Sequence, residues 1–539
     1  MRFLKSLCFI VLTSALVLGQ SSTSATSTDN SSVADELKKL REALAEQQKQ
    51  LAQQQQEIEK LRQQVATTTP VAAKSSDVAP RVLDATLHTT TTPASRAAQQ
   101  GGEQPEASKP SPLSFRIGGA EFTPGGFVDF ENVFRSTNTT NVIGTNFGQI
   151  PFSNTVQGHL TEFRSSAQFS RLSMKVTDKF KSMDVTGYAE MDFNGNDAAN
   201  VFVTANGHTN RLRLYWLDVK KGNWQFDAGQ MWSWLTPNRI GIGPATADLF
   251  VTQNEDANIN VGLPYSRASQ IRVAYHVNDN VALGVAIENP QQYVGIGETV
   301  FPFLFNAQLG PQFDAANNAG TPNLHPDIIP KITFDGNPGN THLHLEFVGL
   351  ITSKKDAVIG LTPNFVTNTA TGGGGSINAS AVFNKKFGLF GNTFWSDGGG
   401  RYLFGLAPDA VVHPDGKVSL VHSMGGTASF EWQLSPNTLI AGVYGVVYAQ
   451  RNFFLDFTNP VPGRFAGFGA PNSPNTANRI LHEPSVNWIQ TLWGNAQYGK
   501  LQLVTQASYI SRAPWFVALG APKNAHLGMG YVSLKYILP

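Results

Sequence analysis

The sequence predicts an all-β transmembrane barrel of about sixteen antiparallel strands, preceded by an N-terminal α-helical coiled coil. Three observations carry the prediction: a two-residue alternation of apolar and polar side chains, an alternation of short turns with long loops, and a heptad repeat near the N-terminus. Residues 184–194 show the first most plainly. Val185, Gly187, Ala189, Met191 and Phe193 fall on one face, and Thr186, Tyr188, Glu190, Asp192 and Asn194 on the other. A period of two makes a strand with opposite faces. Many such strands, apolar on one side and charged on the other, make a wall between lipid and water. Passage, rather than catalysis, is the function class this pattern implies.

At 539 residues the chain exceeds one ordinary domain. The low charged fraction, the many glycines and the 10% aromatics suit strands that are half apolar and half wet. A formal net charge of +1 argues against a generally basic nucleic-acid binder. Arg2 and Lys5 precede a short apolar run, 7–18, and then small and polar residues. This reads as a secretory signal peptide over 1–19, too short for a membrane helix of roughly 20 residues. Cys8, the one cysteine, lies within it, so the exported chain is expected to have no disulfide and no thiolate metal site.

Residues 33–65 carry the heptad. Val33, Leu40, Gln47, Gln54 and Leu61 fill one seam position, and Leu37, Leu44, Leu51, Ile58 and Val65 the other. That spacing predicts a periplasmic coiled coil about 50 Å long. A lone solvated helix is the alternative, and the seam does not choose between dimer and trimer. Residues 66–112, rich in Thr, Pro, Ala, Ser and Gln, have too little apolar surface to offset ordering and read as a flexible linker. The barrel is expected over 113–539.

Its strands are predicted near 126–135, 163–177, 184–194, 210–219, 224–232, 269–277, 280–288, 328–334, 342–351, 375–383, 387–395, 418–433, 438–449, 485–497, 501–510 and 526–538. Short connections such as 220–223, 278–279 and 435–437 carry turn residues. Long ones, including 136–162, 233–267, 289–327 and 451–484, fall between them, the outer-membrane pattern of periplasmic turns and extracellular loops. An even strand number places both ends of the barrel in the periplasm.

Phasing each strand by its apolar face gives the lumen. Leu172, Met174 and Val176 face lipid, so Arg171 and Lys175 face in. The next basic strand turns Arg211, Arg213 and Tyr215 inward. Ile271, Val273, Tyr275 and Val277 point out and leave Gln270, Arg272 and His276 in the channel. Asp129, Glu131, Glu190, Asp192, Asp227, Glu288 and Glu346 are the inward acids. Clustered Arg and Lys are how pores favour anions, so Arg171, Lys175, Arg211, Arg213 and Arg272, with Glu190 and Asp192, are the candidate selectivity residues. For each alone, pairing across strands is the plainer role. The loop 233–267 either folds into the lumen and narrows it or caps it from outside. Trp216, Trp224, Trp232, Trp488 and Trp493 are candidates for aromatic belts.

No catalytic residue, metal site or cofactor is expected. His342 and His344 share one face of a strand, but a third ligand other than Glu346 is lacking, and wet lumen histidines explain them better. The glycines at 372–375 open no helix, so they make no phosphate-binding fingerprint.

The exported coiled coil, linker and sixteen-strand barrel resemble the DcaP-like trimeric porins of Gram-negative outer membranes. Short segments are similar as well: SRLSMKV at 170–176, GYAEMDF at 187–193, AGQMWS at 228–233, SQIRV at 269–273 and, more weakly, GRY at 400–402. The resemblance implies a homotrimer, contact with outer-membrane lipid, and passive uptake of small anionic organic solutes, dicarboxylates in particular, past Arg171, Lys175, Arg211, Arg213 and Arg272. The C-terminal Tyr536-Ile537-Leu538-Pro539 departs from the aromatic ending usual in such barrels. Two other readings stand beside this one. A structural anchor would use the coiled coil to tether the outer membrane to the cell wall. A phosphate- or sugar-selective porin would want a denser arginine ladder or an aromatic slide.

Overall fold

The computed structural model describes residues 111–139, 143–195, 208–244, 260–295, 297–313, 321–360 and 364–539. The expected signal peptide (1–19), coiled coil (33–65) and nearly all of the linker (66–112) lie outside the described residues.

Sixteen barrel strands follow: β1 Ala120–Arg135, β2 in two pieces Glu162–Ser166 and Arg171–Phe180, β3 Met183–Asp192, β4 Arg211–Lys221, β5 Trp224–Trp232, β6 Arg267–Asn278, β7 Val281–Glu288, β8 Asp327–Gly336, β9 Thr341–Ile359, β10 Phe365–Phe383, β11 Phe387–Asp397, β12 His422–Ser435, β13 Thr438–Ala449, β14 Asn478–Asn495, β15 Gly499–Pro514 and β16 Ala525–Ile537. Each pairs antiparallel with the next, and β1 also pairs with β16, Phe127 opposite Ile537 and Arg135 opposite Met529. The sheet therefore closes and has no free edge. Ser111 Oγ donates to the Pro539 carbonyl oxygen at 2.9 Å, so both ends of the barrel meet at the end with short turns. There the backbone turns tightly: Gly222 takes φ 56 between β4 and β5, and Asn384 and Lys385 take φ 50 and 57 between β10 and β11.

Side chains follow the predicted phase. Leu172, Val273, Val285, Phe347, Leu389, Phe430, Trp488 and Leu534 are exposed on the outer wall. Ile271 is 52% exposed whereas its neighbour Arg272 is 2% exposed. The seven inward acids are all buried inside. Moving an Arg or Lys to the outer face would cost roughly 2–4 kcal/mol at mid-bilayer, and this sets the register.

Two departures from the predicted strands have physical causes. β9 and β10 run on to Ile359 and back from Phe365, well past the predicted 351 and 375. Their ends hold Lys354, Lys355, Asp356 and several threonines and glycines, with no apolar alternation to read. They pair along their whole length, Ile359 opposite Phe365, as a projecting hairpin at the loop end. The second departure is Tyr215, which faces out at 61% exposed rather than into the lumen. The pairing of β3 with β4 shifts between Glu190 and Met191, so Arg213 is an extra residue that reverses the phase of all that follows.

The tight apolar packing lies within the barrel, beneath its loop end. Ile143, Phe147 and Ile150 from the loop after β1 join Trp234, Leu235 and Ile242 from the loop after β5 and Tyr402, Leu403 and Leu406 from the loop after β11. They pack on inward wall residues including Val133, Leu350, Phe394, Leu481 and Ile510.

Candidate functional site

Strands β2, β3 and β4 bring four of the five basic candidates and both acids together. Glu190 Oε1 lies 2.8 Å from Arg213 Nε and 3.6 Å from Arg171 Nε. Asp192 accepts from Arg211 Nε at 3.0 Å and Nη2 at 2.5 Å, and from Arg213 Nη1 at 3.1 Å. The bulge makes this geometry: by stepping out of register, Arg213 reaches both carboxylates. Three guanidinium groups thus gather round two carboxylates. Arg171 also lies over the Phe127 ring, 5.1 Å from its centroid, and Lys535 lies over the same ring at 4.4 Å. Lys175 pairs across strands with Tyr188, whose ring stacks on Trp216 at 5.3 Å. Lys175 is exposed and, among the described residues, forms no ion pair.

Arg272 stands apart from this group. Its Nε donates to Gln270 Oε1 at 2.8 Å, its Nη2 donates to the Trp232 carbonyl oxygen, and its guanidinium lies 5.1 Å from the Trp234 ring centroid. Fully buried, it braces the root of the loop between β5 and β6 and does not line open water.

That loop folds inward. Its described parts, 233–244 and 260–266, reach far round the wall. Asn238 N–H donates to Glu346 Oε1 of β9 at 3.2 Å, and Gly241 N–H to Asp335 Oδ2 of β8 at 3.1 Å. Arg239 forms a bidentate ion pair with Glu431 of β12 and lies 4.5 Å from the Phe390 ring centroid. Farther round, Val261 N–H donates to Glu483 Oε2 of β14 at 2.8 Å and Asn260 Nδ2 to Ser485 Oγ at 2.8 Å. Leu263 and Tyr265 then pack with Leu214 and Trp232 on one side and Phe390 and Val443 on the other, an apolar bridge across the lumen.

His342 and His344 are drawn into this docking. His344 Nδ1 lies 2.7 Å from Asp335 Oδ1 and Nε2 3.0 Å from Glu346 Oε1, so both ring nitrogens are engaged. At the loop end, Arg401 pairs with Asp327, and Lys354 Nζ lies 3.1 Å from Asp409 Oδ2. Glu298, in the loop after β7, is buried, and burial pushes its carboxyl up to about 8 against the pull of Arg512. Arg512 holds this region together through the Ile150 carbonyl at 2.8 Å and Asn478 Oδ1 at 3.0 Å.

Of the tryptophans proposed for belts, Trp224, Trp488 and Trp493 face outward, while Trp216 stacks inside on Tyr188 and Trp232 is buried in the apolar bridge. Sequence reasoning passed over Lys331, Glu431 and Glu483. The same alternation places each of them inward, but the partners of Glu431 and Glu483 sit in a loop whose direction no local pattern reveals.

No family model and no curated protein matches the chain. Among solved structures, the outer membrane channel DcaP of Acinetobacter baumannii overlays with a TM-score of 0.57 at 15% identity, covering 79% of this chain and 100% of that one. OmpT of Vibrio cholerae (0.42, 9% identity, 79% and 99% covered) and an anion-selective porin from Comamonas acidovorans (0.42, 10%, 78% and 100%) overlay more loosely. The resemblance to DcaP expected from the sequence therefore holds in the fold: a closed, antiparallel sixteen-strand outer-membrane-type barrel.

Proposed function

We propose that the chain is an outer-membrane porin through which small anionic organic solutes, such as dicarboxylates, diffuse passively. The observation that carries this reading is the cluster of three guanidinium groups, with Arg211 partly exposed beside the buried Arg171 and Arg213, and the exposed ammonium of Lys175 in the neighbouring row. A solute carboxylate entering there meets the Arg211 N–H donors already oriented by Asp192. It can exchange one charge-assisted hydrogen bond for another without stripping a buried cation bare. Because the protein's own carboxylates compete for the same donors, binding stays weak enough for release.

The reading extends to the remaining parts of the chain. Residues 1–19 would direct export and 33–65 would form a periplasmic coiled coil joined by the linker to a barrel in the outer membrane of a Gram-negative cell. A homotrimer would form through barrel and coiled coil together.

The deciding experiment is single-channel recording of the purified protein in a planar bilayer under a salt gradient. Three equal steps with a reversal potential favouring anions are expected; a cation-favouring potential rejects the assignment. A second reading, a structural anchor tethering the envelope, is favoured by the apolar bridge across the lumen, and a folded protein that passes no current would select it.

A further inference from the structure

The first part of the inward loop is held mainly by its backbone. Trp234 N–H donates to Glu288 Oε1 at 3.2 Å, Asn238 N–H to Glu346 Oε1 at 3.2 Å and Gly241 N–H to Asp335 Oδ2 at 3.1 Å. Three wall carboxylates, one each on β7, β9 and β8, thus receive three amides of a single short segment. Such bonds are roughly twice as strong as neutral ones. They also fix where the chain runs whatever side chains the loop carries.

The carboxylates are themselves steadied. His344 spans Asp335 and Glu346. Lys331 Nζ lies 2.6 Å from Glu346 Oε1 and 3.4 Å from the Trp234 carbonyl oxygen, and Asn378 Nδ2 donates to Glu346 Oε2 at 2.8 Å. All of these groups are buried or nearly so. They form a network in which each member has a partner, the condition under which buried charge orders a structure rather than loosening it.

We propose that Asp335 and Glu346, steadied by His344 and Lys331, are positioning residues that fix the inward segment and thereby set the width of the aqueous path. This rests on the reading of the barrel as a pore. Neither acid contacts the Arg171–Arg213 group, so width and ion preference are governed by different residues.

The test uses the full chain, checked for folding by its heat-dependent gel mobility. Conductance is measured together with the size of polyethylene glycol that enters and reduces it. Asp335→Ala with Glu346→Ala should raise conductance, admit a larger polymer and leave the sign of the reversal potential alone. Asp335→Asn with Glu346→Gln keeps an acceptor oxygen at each site and should fall back toward the parent. His344→Leu, which leaves both acids in place, should move conductance the same way by less and serves if the double alanine variant does not fold. A folded variant with unchanged conductance and polymer cut-off overturns the proposal. If the parent passes no current but the double alanine variant does, the positioning role stands and the open-pore reading falls. If neither conducts, both fall.

Discussion

Two arcs of the barrel wall present different chemistry to the interior. From β1 to β9 the buried inward residues are dense in charge: Asp129, Glu131, Arg171, Glu190, Asp192, Arg213, Asp227, Arg272, Glu288, Lys331 and Glu346. From β10 to β13 they are hydroxyls and amides: Ser376, Asn378, Ser380, Asn392, Ser396, Ser423, Thr427 and Ser429, with Glu431 the one charged exception. Glu431 is taken by Arg239, and Glu483 on β14 accepts Val261 N–H. On these strands a carboxylate stands where the inward loop lands, as Glu288, Asp335 and Glu346 do on β7 to β9. On β2 to β4, in contrast, the charges hold one another. The lesson is that inward charge has two kinds of partner here, other wall charges on β2 to β4 and the inward loop from β7 round to β14.

The largest effect should come from β2 to β4. Arg211→Glu with Arg213→Glu replaces two cations by anions beside Glu190 and Asp192, a change of four charges at one place. The reversal potential in a salt gradient should change sign, from anion-favouring to cation-favouring. An unchanged potential would remove these arginines from selection and with them half of the comparison.

Where the inward loop is seated, the two members of one pair should behave unequally. Arg239→Ala leaves Glu431 buried without its guanidinium, which typically costs about 3–5 kcal/mol, and should lower the thermal midpoint of the refolded barrel. Glu431→Gln removes the charge but keeps an acceptor and frees Arg239, itself partly exposed. It should be far milder in stability and should make the path more anion-favouring. Equal destabilisation by both substitutions would mean the pair matters as an ion pair and not as a means of satisfying a buried acid.

A charge outside both walls offers a contrast in pH. The Glu298 carboxyl is raised from 4.5 to about 8 by burial. Below 4.5 it is neutral whether the loop is docked or open, and contributes nothing. Between 4.5 and about 8 the open state is ionised and the docked state is not, so docking weakens as pH rises through that window and levels off above it. Proteolysis of the loop after β7 should therefore quicken from pH 5 to 8, and Glu298→Gln should flatten the profile. A parent profile that is flat, or that slows as pH rises, contradicts this.

Much of this was legible in the sequence, and the reason is the period of two. It fixed the inward phase of Asp129, Glu190, Asp192, Arg171 and Arg272 because lipid tolerates no charge on the other face. It failed at Tyr215 because one bulged residue, Arg213, inverts the phase without leaving a mark in the apolar pattern. It stopped short on β9 and β10 because strands beyond the bilayer need no apolar face. The inward course of the loop after β5 was not legible at all. Its anchors are backbone amides, which every residue but proline carries, and their acceptors lie up to hundreds of positions away.

The smallest effect expected belongs to an inward amide, and it tests the comparison from the opposite direction. Asn487 on β14 is 1% exposed, and neither its Oδ1 nor its Nδ2 has a hydrogen-bond partner among the described residues. A buried amide left unpaired costs about 1–3 kcal/mol, so Asn487→Ala removes a liability at the price of a small void. The thermal midpoint should stay level or rise slightly, and the reversal potential should not move. If the potential instead shifted as far as it does on changing Arg213, the hydroxyl and amide wall would be taking part in selection, and the division of labour between the two arcs would be wrong. Asn487→Asp sharpens the point. A carboxylate introduced there has no loop amide or arginine assigned to it, so it should destabilise the barrel where Glu431 and Glu483, each with a loop partner, do not.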